Sequence, residues 1–170
     1  HPKLETKNEI IIDPKMSFGT GHHETTYQMM TMMTGVDFEH KSVWDYGSGT
    51  GLLAILAEKL GATSVLANDN EEWAYLNALE NSKINDCHHI AFHHGVIEDL
   101  ENNHVFNTET KFDIILANIT KNILLDSSLK VSMYSMPDTH LLLSGFYSSD
   151  IEYIISKYAE TGYHLHACST

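Results

Sequence analysis

Basic residues are scarce in this sequence. It contains 10 lysines and arginines against 23 aspartates and glutamates, which gives a formal net charge of -13 with histidine neutral. A domain this acidic repels phosphate backbones, so we expect no direct binding to nucleic acid. The same charge attracts a basic protein or a small amine, although acidity that only aids solubility is the alternative.

Long apolar runs are also absent. No stretch approaches the roughly 20 apolar residues that a membrane-spanning helix needs. No positively charged and apolar leader opens the sequence. We therefore expect no membrane partner and a cytoplasmic location.

Cysteine is rare, and its placement excludes common cysteine sites. Cys87 and Cys168 lie far apart and form no disulfide or metal pattern, as in a reducing cytosol. Histidine is abundant, but only His89 and His93 have a helical ligand spacing. The apolar residues between them indicate a buried strand and supply no carboxylate, so we predict no metal site.

The chain consists of short apolar runs that alternate with longer helical patterns. The predicted strands are Ser42–Tyr46, Ser64–Asp69, His89–His93, Phe112–Asn118, His140–Ser144 and Tyr163–Ser169. The predicted helices are Thr25–Met33, Leu52–Leu60, Glu71–Ile84, Ile119–Tyr134 and Ser148–Ala159. This alternation is typical of an α/β, Rossmann-like fold with a mostly parallel sheet and helices on both faces. Such sheets bind ligands at the carboxyl ends of their strands.

The first 41 residues differ from the rest. We expect 1–41 to be an N-terminal segment and helix that cover the ligand, and 42–170 to be the core of the same compact domain. Glu9–Asp13 is predicted to be a short strand that Pro14 ends. The methionines of helix Thr25–Met33 are predicted to fill the core, with a flexible substrate-facing surface as the alternative.

The clearest motif follows the first strand. Asp45, Gly47, Gly49 and Gly51 form Asp-x-Gly-x-Gly-x-Gly, and a helix begins directly afterwards. Glycine allows a sharp turn and a close approach of the backbone to a ligand, and the helix amino terminus offers free N–H groups. The pattern is typical of S-adenosylmethionine (AdoMet) enzymes, in which Asp45 would fix the loop and meet the ligand's ammonium, often through water.

Two other interpretations of this loop stay open. Gly49, Gly51 and Ala54 match the loose dinucleotide fingerprint Gly-x-Gly-x-x-Gly/Ala, and a glycine-rich turn can also have no ligand. We favour AdoMet because the first glycine after the strand is Gly47 and because Asp45 has no role in the dinucleotide fingerprint.

The ends of the second and third strands suggest a nucleoside site. Asp69, followed by Asn70, lies about 20 residues after the glycine loop, where a carboxylate can accept hydrogen bonds from both ribose hydroxyls. A solvated loop aspartate is the alternative. Val96 and Ile97 follow the third strand and could pack on the adenine, although both could equally be plain core residues.

The fourth strand ends in Asn118. Many amino methyltransferases have an Asn-Pro-Pro-aromatic motif at this place, whose asparagine grips the substrate nitrogen. Here Ile119 and Thr120 replace the prolines, so no glutamine or adenine methyltransferase signature is present. Asn118 is predicted to be catalytic and to contact AdoMet, with capping of the next helix as the alternative.

One segment resembles a known family. Residues 13–26 include Phe-Gly-Thr-Gly-His-His-Glu-Thr-Thr, which is similar to Phe-Gly-Thr-Gly-x-His-x-Thr-Thr of the ribosomal protein L11 methyltransferases, the PrmA family. The glycine loop, the Asp69 strand end, Ala117–Ile119 and Leu143–Gly145 match the family in the same order. The resemblance covers nearly the whole chain from about Ile10.

The resemblance implies roles for individual residues. The family's turn that closes over AdoMet falls on Phe18, Gly19, Thr20 and Gly21. Its cofactor-binding threonine, loop glycine, ribose carboxylate and strand-four asparagine fall on Thr26, Gly47, Asp69 and Asn118. Its histidine falls on His23, which could accept the amine proton, although solvent could serve equally. The sequence departs from the family at Glu24, where proline is usual, and at Glu71–Glu72, where Asp-Pro is usual.

The resemblance also implies an activity. We expect AdoMet-dependent methylation of lysine or N-terminal amines of a basic, large-subunit ribosomal protein. Another N-methyltransferase, for a small molecule or a different protein, and a non-catalytic AdoMet-binding module are the alternatives. The family has a separate amino-terminal domain and a seventh strand, neither of which is recognisable here, so we expect a fragment or a truncated member.

Overall fold

The computed structural model describes residues 9–15 and 24–169. Within them, five parallel strands form one sheet in the order β3-β2-β1-β4-β5. The strands are β1 Ser42–Tyr46, β2 Ser64–Asp69, β3 Ile90–His94, β4 Phe112–Asn118 and β5 Ser135–Ser144. The helices are α1 Glu24–Met33, α2 Leu52–Lys59, α3 Glu72–Ile84, α4 Ile97–Asn102, α5 Lys121–Met133 and α6 Ile151–Ala159, with a 3-10 turn at Ser148–Asp150.

Strand β4 shows why helices cover both faces of the sheet. Its side chains alternate, so Ile114 and Leu116 enter one core while Ile115 and Ala117 enter the other. Helices α1 and α2 close the first core, and α4, α5 and α6 close the second. A strand buried on both faces has a continuous apolar run in its sequence, and in β4 this run is Ile114–Ala117. The predicted Rossmann-like architecture is confirmed.

The methionine-rich helix α1 fills the core, as predicted. Met29 and Met33 are fully buried, and Met30 and Met32 pack partly buried against the same cluster. Helix α1 also lies against the ends of β4 and β5. It therefore belongs to the same packed unit as the sheet.

Two predicted strands are wrong. Residues 163–169 follow α6 without forming a strand, and Leu165 is 59% exposed. Only Tyr163 packs partly buried against the core, and residues 164–169 are exposed, so little offsets the entropy of ordering the segment as a strand. Glu9–Asp13 is not a strand either, because its backbone pairs with asparagine side chains of α3 rather than with a neighbouring strand.

Strand β5 is longer than predicted and begins at Ser135 rather than His140. Its first half contains Pro137, which lacks an N–H, and the pairing with β4 is irregular between Phe112 and Ile114. The Thr139 hydroxyl compensates: it accepts the Met136 N–H at 2.7 Å and donates to the Phe112 carbonyl at 2.6 Å. A side chain thus replaces a missing backbone partner.

The strand order places one crevice at the centre of the sheet. Because the strands are parallel, all carboxyl ends lie at one edge. From β1 the chain proceeds outward to β2 and β3, and then crosses to β4 and β5 on the other side. The order therefore reverses between β1 and β4, which is where ligands bind in open α/β sheets. Tyr46 and Asn118 end the two strands that flank this crevice.

Two features are not found in the part of the chain that the structure describes. None of its helices combines the length and apolar character needed to cross a bilayer. No group of three or more histidine, cysteine or acidic side chains there could hold a metal ion.

Candidate functional site

The glycine-rich loop turns sharply between β1 and α2. Gly47, Gly49 and Gly51 all have positive φ, at 77°, 53° and 79°. A Cβ atom at Gly47 would lie 2.3 Å from Cγ2 of Ile119, so this glycine is needed for close approach as well as for conformation. Helix α2 then begins without a side-chain cap. The N–H groups of Leu52 and Leu53, the first two of α2, are therefore available to a ligand, whereas the third, that of Ala54, donates to Asp45.

Asp45 lies beneath this loop rather than in the open crevice. It is 1% exposed, and its Oδ2 accepts the Ala54 N–H of α2 at 3.0 Å. Its Oδ1 and the hydroxyl of Ser48 are buried and have no hydrogen-bond partner among the described residues. Burial raises the pKa of Asp45 from 3.8 to about 7, and the nearby charge of Asp69 adds to the effect.

Asp69 ends β2 and holds the glycine loop from the side. Its Oδ2 accepts the Gly49 N–H at 2.8 Å, and its Oδ1 accepts the Glu71 N–H at 3.0 Å. A carboxylate has about four acceptor positions, so both oxygens can also accept from a ligand. The side chain lines the same groove as Gly47 and Gly49. Asp69 is therefore half-buried and bonded to the loop backbone instead of being fully solvated.

Asn118 contacts a residue 92 positions earlier in the chain. Its amide nitrogen donates to the hydroxyl of Thr26 in α1 at 3.1 Å. This leaves the amide oxygen without a partner among the described residues. The helix-capping alternative is excluded, because α5 begins after Thr120 and has no side-chain cap. Ser144, at the end of β5, also donates to α1, through the Thr25 carbonyl at 3.2 Å.

The predicted residues divide between two cavities. A groove of about 1660 Å³ contains Thr26, Gly47, Gly49, Asp69 and Asn118 in its lining. A separate, smaller cavity is lined by Asn70, His94, Gly95, Val96, Asp99 and Asn103. Ile97 is 2% exposed and belongs to the core, whereas Val96 is 40% exposed and available to a ligand. Phe18, Gly19, Thr20, Gly21 and His23 lie outside the described residues.

Asn68 organises both cavities and was missed in the sequence analysis. It is 1% exposed, accepts the Trp44 indole N–H at 2.8 Å and donates to the Gly95 carbonyl at 2.9 Å. Its backbone carbonyl accepts the N–H groups of Gly47 and Ser48 at 2.9 and 3.0 Å. A polar residue within an otherwise apolar strand was the available signal, since buried amides need partners.

Comparison with known proteins gives consistent results. The family model described as "Ribosomal protein L11 methyltransferase (PrmA)" matches residues 1–170. A ribosomal protein L11 methyltransferase of Porphyromonas gingivalis is 45% identical over 152 residues, which are 89% of this chain and 50% of that protein. The chain spans about half the length of the curated relatives it matches.

Solved structures agree. The crystal structure of a ribosomal protein L11 methylase from Lactobacillus delbrueckii superimposes with a TM-score of 0.82 at 31% identity, covering 99% of this chain and 84% of that one. A precorrin-6y C5,15-methyltransferase from Geobacter metallireducens gives a TM-score of 0.70 at 11% identity, covering 91% of this chain and 77% of the other, and shares the fold.

Proposed function

The chain belongs to the ribosomal protein L11 methyltransferase (PrmA) family, and on that premise we propose that it carries the AdoMet site and the methyl-transfer site of a protein N-methyltransferase. The observation that carries the proposal is the contact between Asn118 and Thr26. It places an amide, whose oxygen has no partner among the described residues, beside the glycine loop at the crevice where the strand order reverses.

The residues present fit AdoMet. The uncapped start of α2 suits the carboxylate of its methionine part, because helix amino termini attract anions. The hydroxyl of Ser48 is buried without a partner in the described part of the chain and can bind the same part of the molecule. Asp69 would hold the ribose hydroxyls, and Asn70 and Val96 would lie on the adenine side. The Phe18–Gly21 turn and Thr26 are proposed to complete the site.

The chemistry divides between the cofactor and the chain. When bound, AdoMet supplies a methyl group on a sulfonium that is already an excellent leaving group. The chain must therefore chiefly position a neutral amine in line with that group. The Asn118 oxygen can accept a hydrogen bond from the amine and stabilise the positive charge that develops on nitrogen. Thr26 fixes the orientation of the amide, since its hydroxyl occupies the Asn118 nitrogen. His23 or solvent would take the proton.

The proposed substrate is a large-subunit ribosomal protein, methylated at lysine or N-terminal amines in the cytoplasm. The net charge of -13 favours encounter with a basic protein. Incubation with radiolabelled AdoMet and separated ribosomal proteins tests this. Label in one large-subunit protein is the expected result. Label only in small amines, or none despite cofactor binding, would favour the other two functions considered.

The class of cofactor can be tested without a methyl acceptor. By calorimetric titration, AdoMet and S-adenosylhomocysteine (AdoHcy) should bind with dissociation constants of micromolar order, and NAD far more weakly. The reason is that Asp45 and Gly47 belong to the AdoMet pattern and have no role in the dinucleotide one. Tight NAD binding without heat from AdoMet would overturn the proposal.

Substitution Asp69→Ala should weaken AdoMet binding by about 1.5–3 kcal/mol, or about 10- to 150-fold, the range for lost hydrogen bonds to a charged group. The structure adds a second cause, because Gly49 also loses its acceptor. Asp69→Asn is the matched control, since it keeps one acceptor oxygen. Its affinity for AdoMet should lie between those of the unsubstituted protein and Asp69→Ala. Titration of both variants checks the result, and an unchanged affinity in Asp69→Ala would remove Asp69 from the ribose role.

A further inference from the structure

Three asparagines, two in α3 and one that directly follows it, bind the N-terminal segment. Asn77, Asn81 and Asn85 lie at successive i,i+4 positions and are 2%, 0% and 8% exposed. Their amides bond the backbone of Ile11 and Asp13. We refer to Asn77, Asn81 and Asn85 as the asparagine row.

The row pairs with the segment as a neighbouring strand would. Asn85 Oδ1 accepts the Ile11 N–H at 2.9 Å, and Asn85 Nδ2 donates to the Ile11 carbonyl at 2.7 Å. Asn81 Oδ1 accepts the Asp13 N–H at 2.9 Å, and Asn77 Nδ2 donates to the Asp13 carbonyl at 2.8 Å. The row thus satisfies the donor and acceptor of both residues.

Asn81 also holds the glycine loop. Its Nδ2 donates to the Thr50 carbonyl at 2.9 Å. Only one orientation of the amide satisfies both contacts, since the opposite orientation would face an N–H with the NH₂ group and a carbonyl with the oxygen. Position and orientation of the Asn81 amide are therefore fixed from two sides at once.

Helix α3 packs directly on the loop at this point. A Cβ atom at Gly51 would lie 3.0 Å from the Cβ of Ala78, so helix and loop are already in close contact. A tightly packed contact of this kind transmits displacement instead of absorbing it. A movement of the Thr50 carbonyl is thus expected to displace the Asn81 amide, and with it the bonded Asp13 N–H.

We propose that Asn81 is a positioning residue that couples docking of the Ile11–Asp13 segment to ligand binding at the glycine loop. This inference rests on the proposed function, because the ligand is taken to be AdoMet or AdoHcy. Coupling is reciprocal, so a ligand that favours the observed loop conformation must strengthen docking of the segment by the same factor as docking strengthens ligand binding. Asn81 is not among the residues that line either cavity, so it acts through the loop.

Hydrogen exchange of single amides, followed by NMR with and without saturating AdoHcy, tests the coupling. In the unsubstituted protein, AdoHcy should slow exchange of the Asp13 amide by about fivefold or more, the lower end of typical coupling. The Asn107 amide is an internal control, because it also bonds a side chain, the Thr110 hydroxyl at 3.0 Å, but lies outside both cavities. Its exchange rate should not change.

The variants Asn81→Ala and Asn85→Ala form a matched pair. Both remove one amide of the row, but Asn81 donates to the loop, whereas Asn85 donates to the Asn81 carbonyl at 2.8 Å. In Asn85→Ala, the Ile11 amide should exchange faster while AdoHcy still slows exchange of Asp13. In the unsubstituted protein AdoHcy should also slow exchange of the Ile11 amide, which belongs to the same segment. In Asn81→Ala that slowing should be lost even when AdoHcy is saturating, and AdoHcy affinity should fall about fivefold or more.

The outcomes separate the two proposals. If AdoHcy binds the unsubstituted protein but leaves Asp13 exchange unchanged, the coupling is wrong and the proposed function stands. If AdoHcy still slows exchange of the Ile11 amide in Asn81→Ala, the coupling does not depend on Asn81 and its proposed role is wrong. If AdoHcy does not bind at all, both proposals fail. The measurement on the unsubstituted protein stays decisive even where Asn81→Ala does not fold.

Discussion

Replacing Asn118 with alanine should lower the turnover number for methyl transfer by about 10²- to 10³-fold, the cost of removing one preorganised polar group from a site where charge develops. The amide oxygen has no partner among the described residues, whereas the nitrogen is occupied by Thr26. In the proposed function, the oxygen would face the acceptor amine and stabilise charge that appears only as the nitrogen becomes positive. AdoMet affinity should change by no more than a few-fold, because Asp69 and the start of α2 remain.

The control is Thr26→Val, which keeps the Asn118 amide but removes the hydroxyl that orients it. Thr26 is 2% exposed, and valine is chosen because it has nearly the same shape and so fills the same buried space. Its turnover should fall less than that of Asn118→Ala. Steady-state kinetics at saturating AdoMet, with binding measured separately, check both variants. Loss of AdoMet binding with an unchanged rate at saturation would make Asn118 a cofactor ligand and no more.

Replacing Asp45 with asparagine should remove a large pH-dependent contribution to stability. The folded protein holds a proton on Asp45 up to a pKa of about 7, while the unfolded chain releases it near 3.8. Between these values the folded state binds more protons, so its stability falls as pH rises and levels off above about pH 7. Between pH 3.8 and about pH 7, this group lowers the free energy of unfolding by on the order of 4 kcal/mol, at about 1.4 kcal/mol for each pH unit.

The Asp45→Asn variant keeps a side-chain oxygen that can accept the Ala54 N–H, so the first turn of α2 stays bonded. The free energy of unfolding of the variant should equal that of the unsubstituted protein at about pH 4 and should be increasingly larger toward pH 7. Urea unfolding of both proteins from pH 4 to pH 8 measures the difference between their free energies of unfolding. The titration of other groups affects both proteins alike and cancels in this difference. A difference that does not vary with pH would mean that Asp45 is ionised throughout.

Several features of the fold were predictable because local pattern determines them. Strands β1, β2 and β4 each contain a short apolar run, the longest being Ile114–Ala117 in β4, and such runs between turn residues favour buried parallel strands. Residues 163–169 have an equally plausible pattern but no strand. Periodicity describes which side chains could share a face and does not state whether another strand is available to pair.

The candidate site was predictable to the extent that it lies at strand ends. Asp69 and Asn118 end β2 and β4, and parallel strands bring their carboxyl ends to one edge whatever the connections between them. The hydrogen bond that Asp45 accepts from Ala54 in the first turn of α2 was not predictable from local pattern. Neither was the burial of Asp45, because burial depends on how α2 packs over it.

By itself, the sequence determined the strand–helix alternation, the glycine loop and the polar residues that end the strands, since each depends on neighbours within one turn or one strand. Only the tertiary structure decided which distant residues meet. Thr26 reaches Asn118 across 92 positions, and Asn81 reaches both Asp13 and Thr50 across 68 and 31. Such contacts depend on the direction of each crossover and on side-chain packing between layers, and no local periodicity encodes either of these.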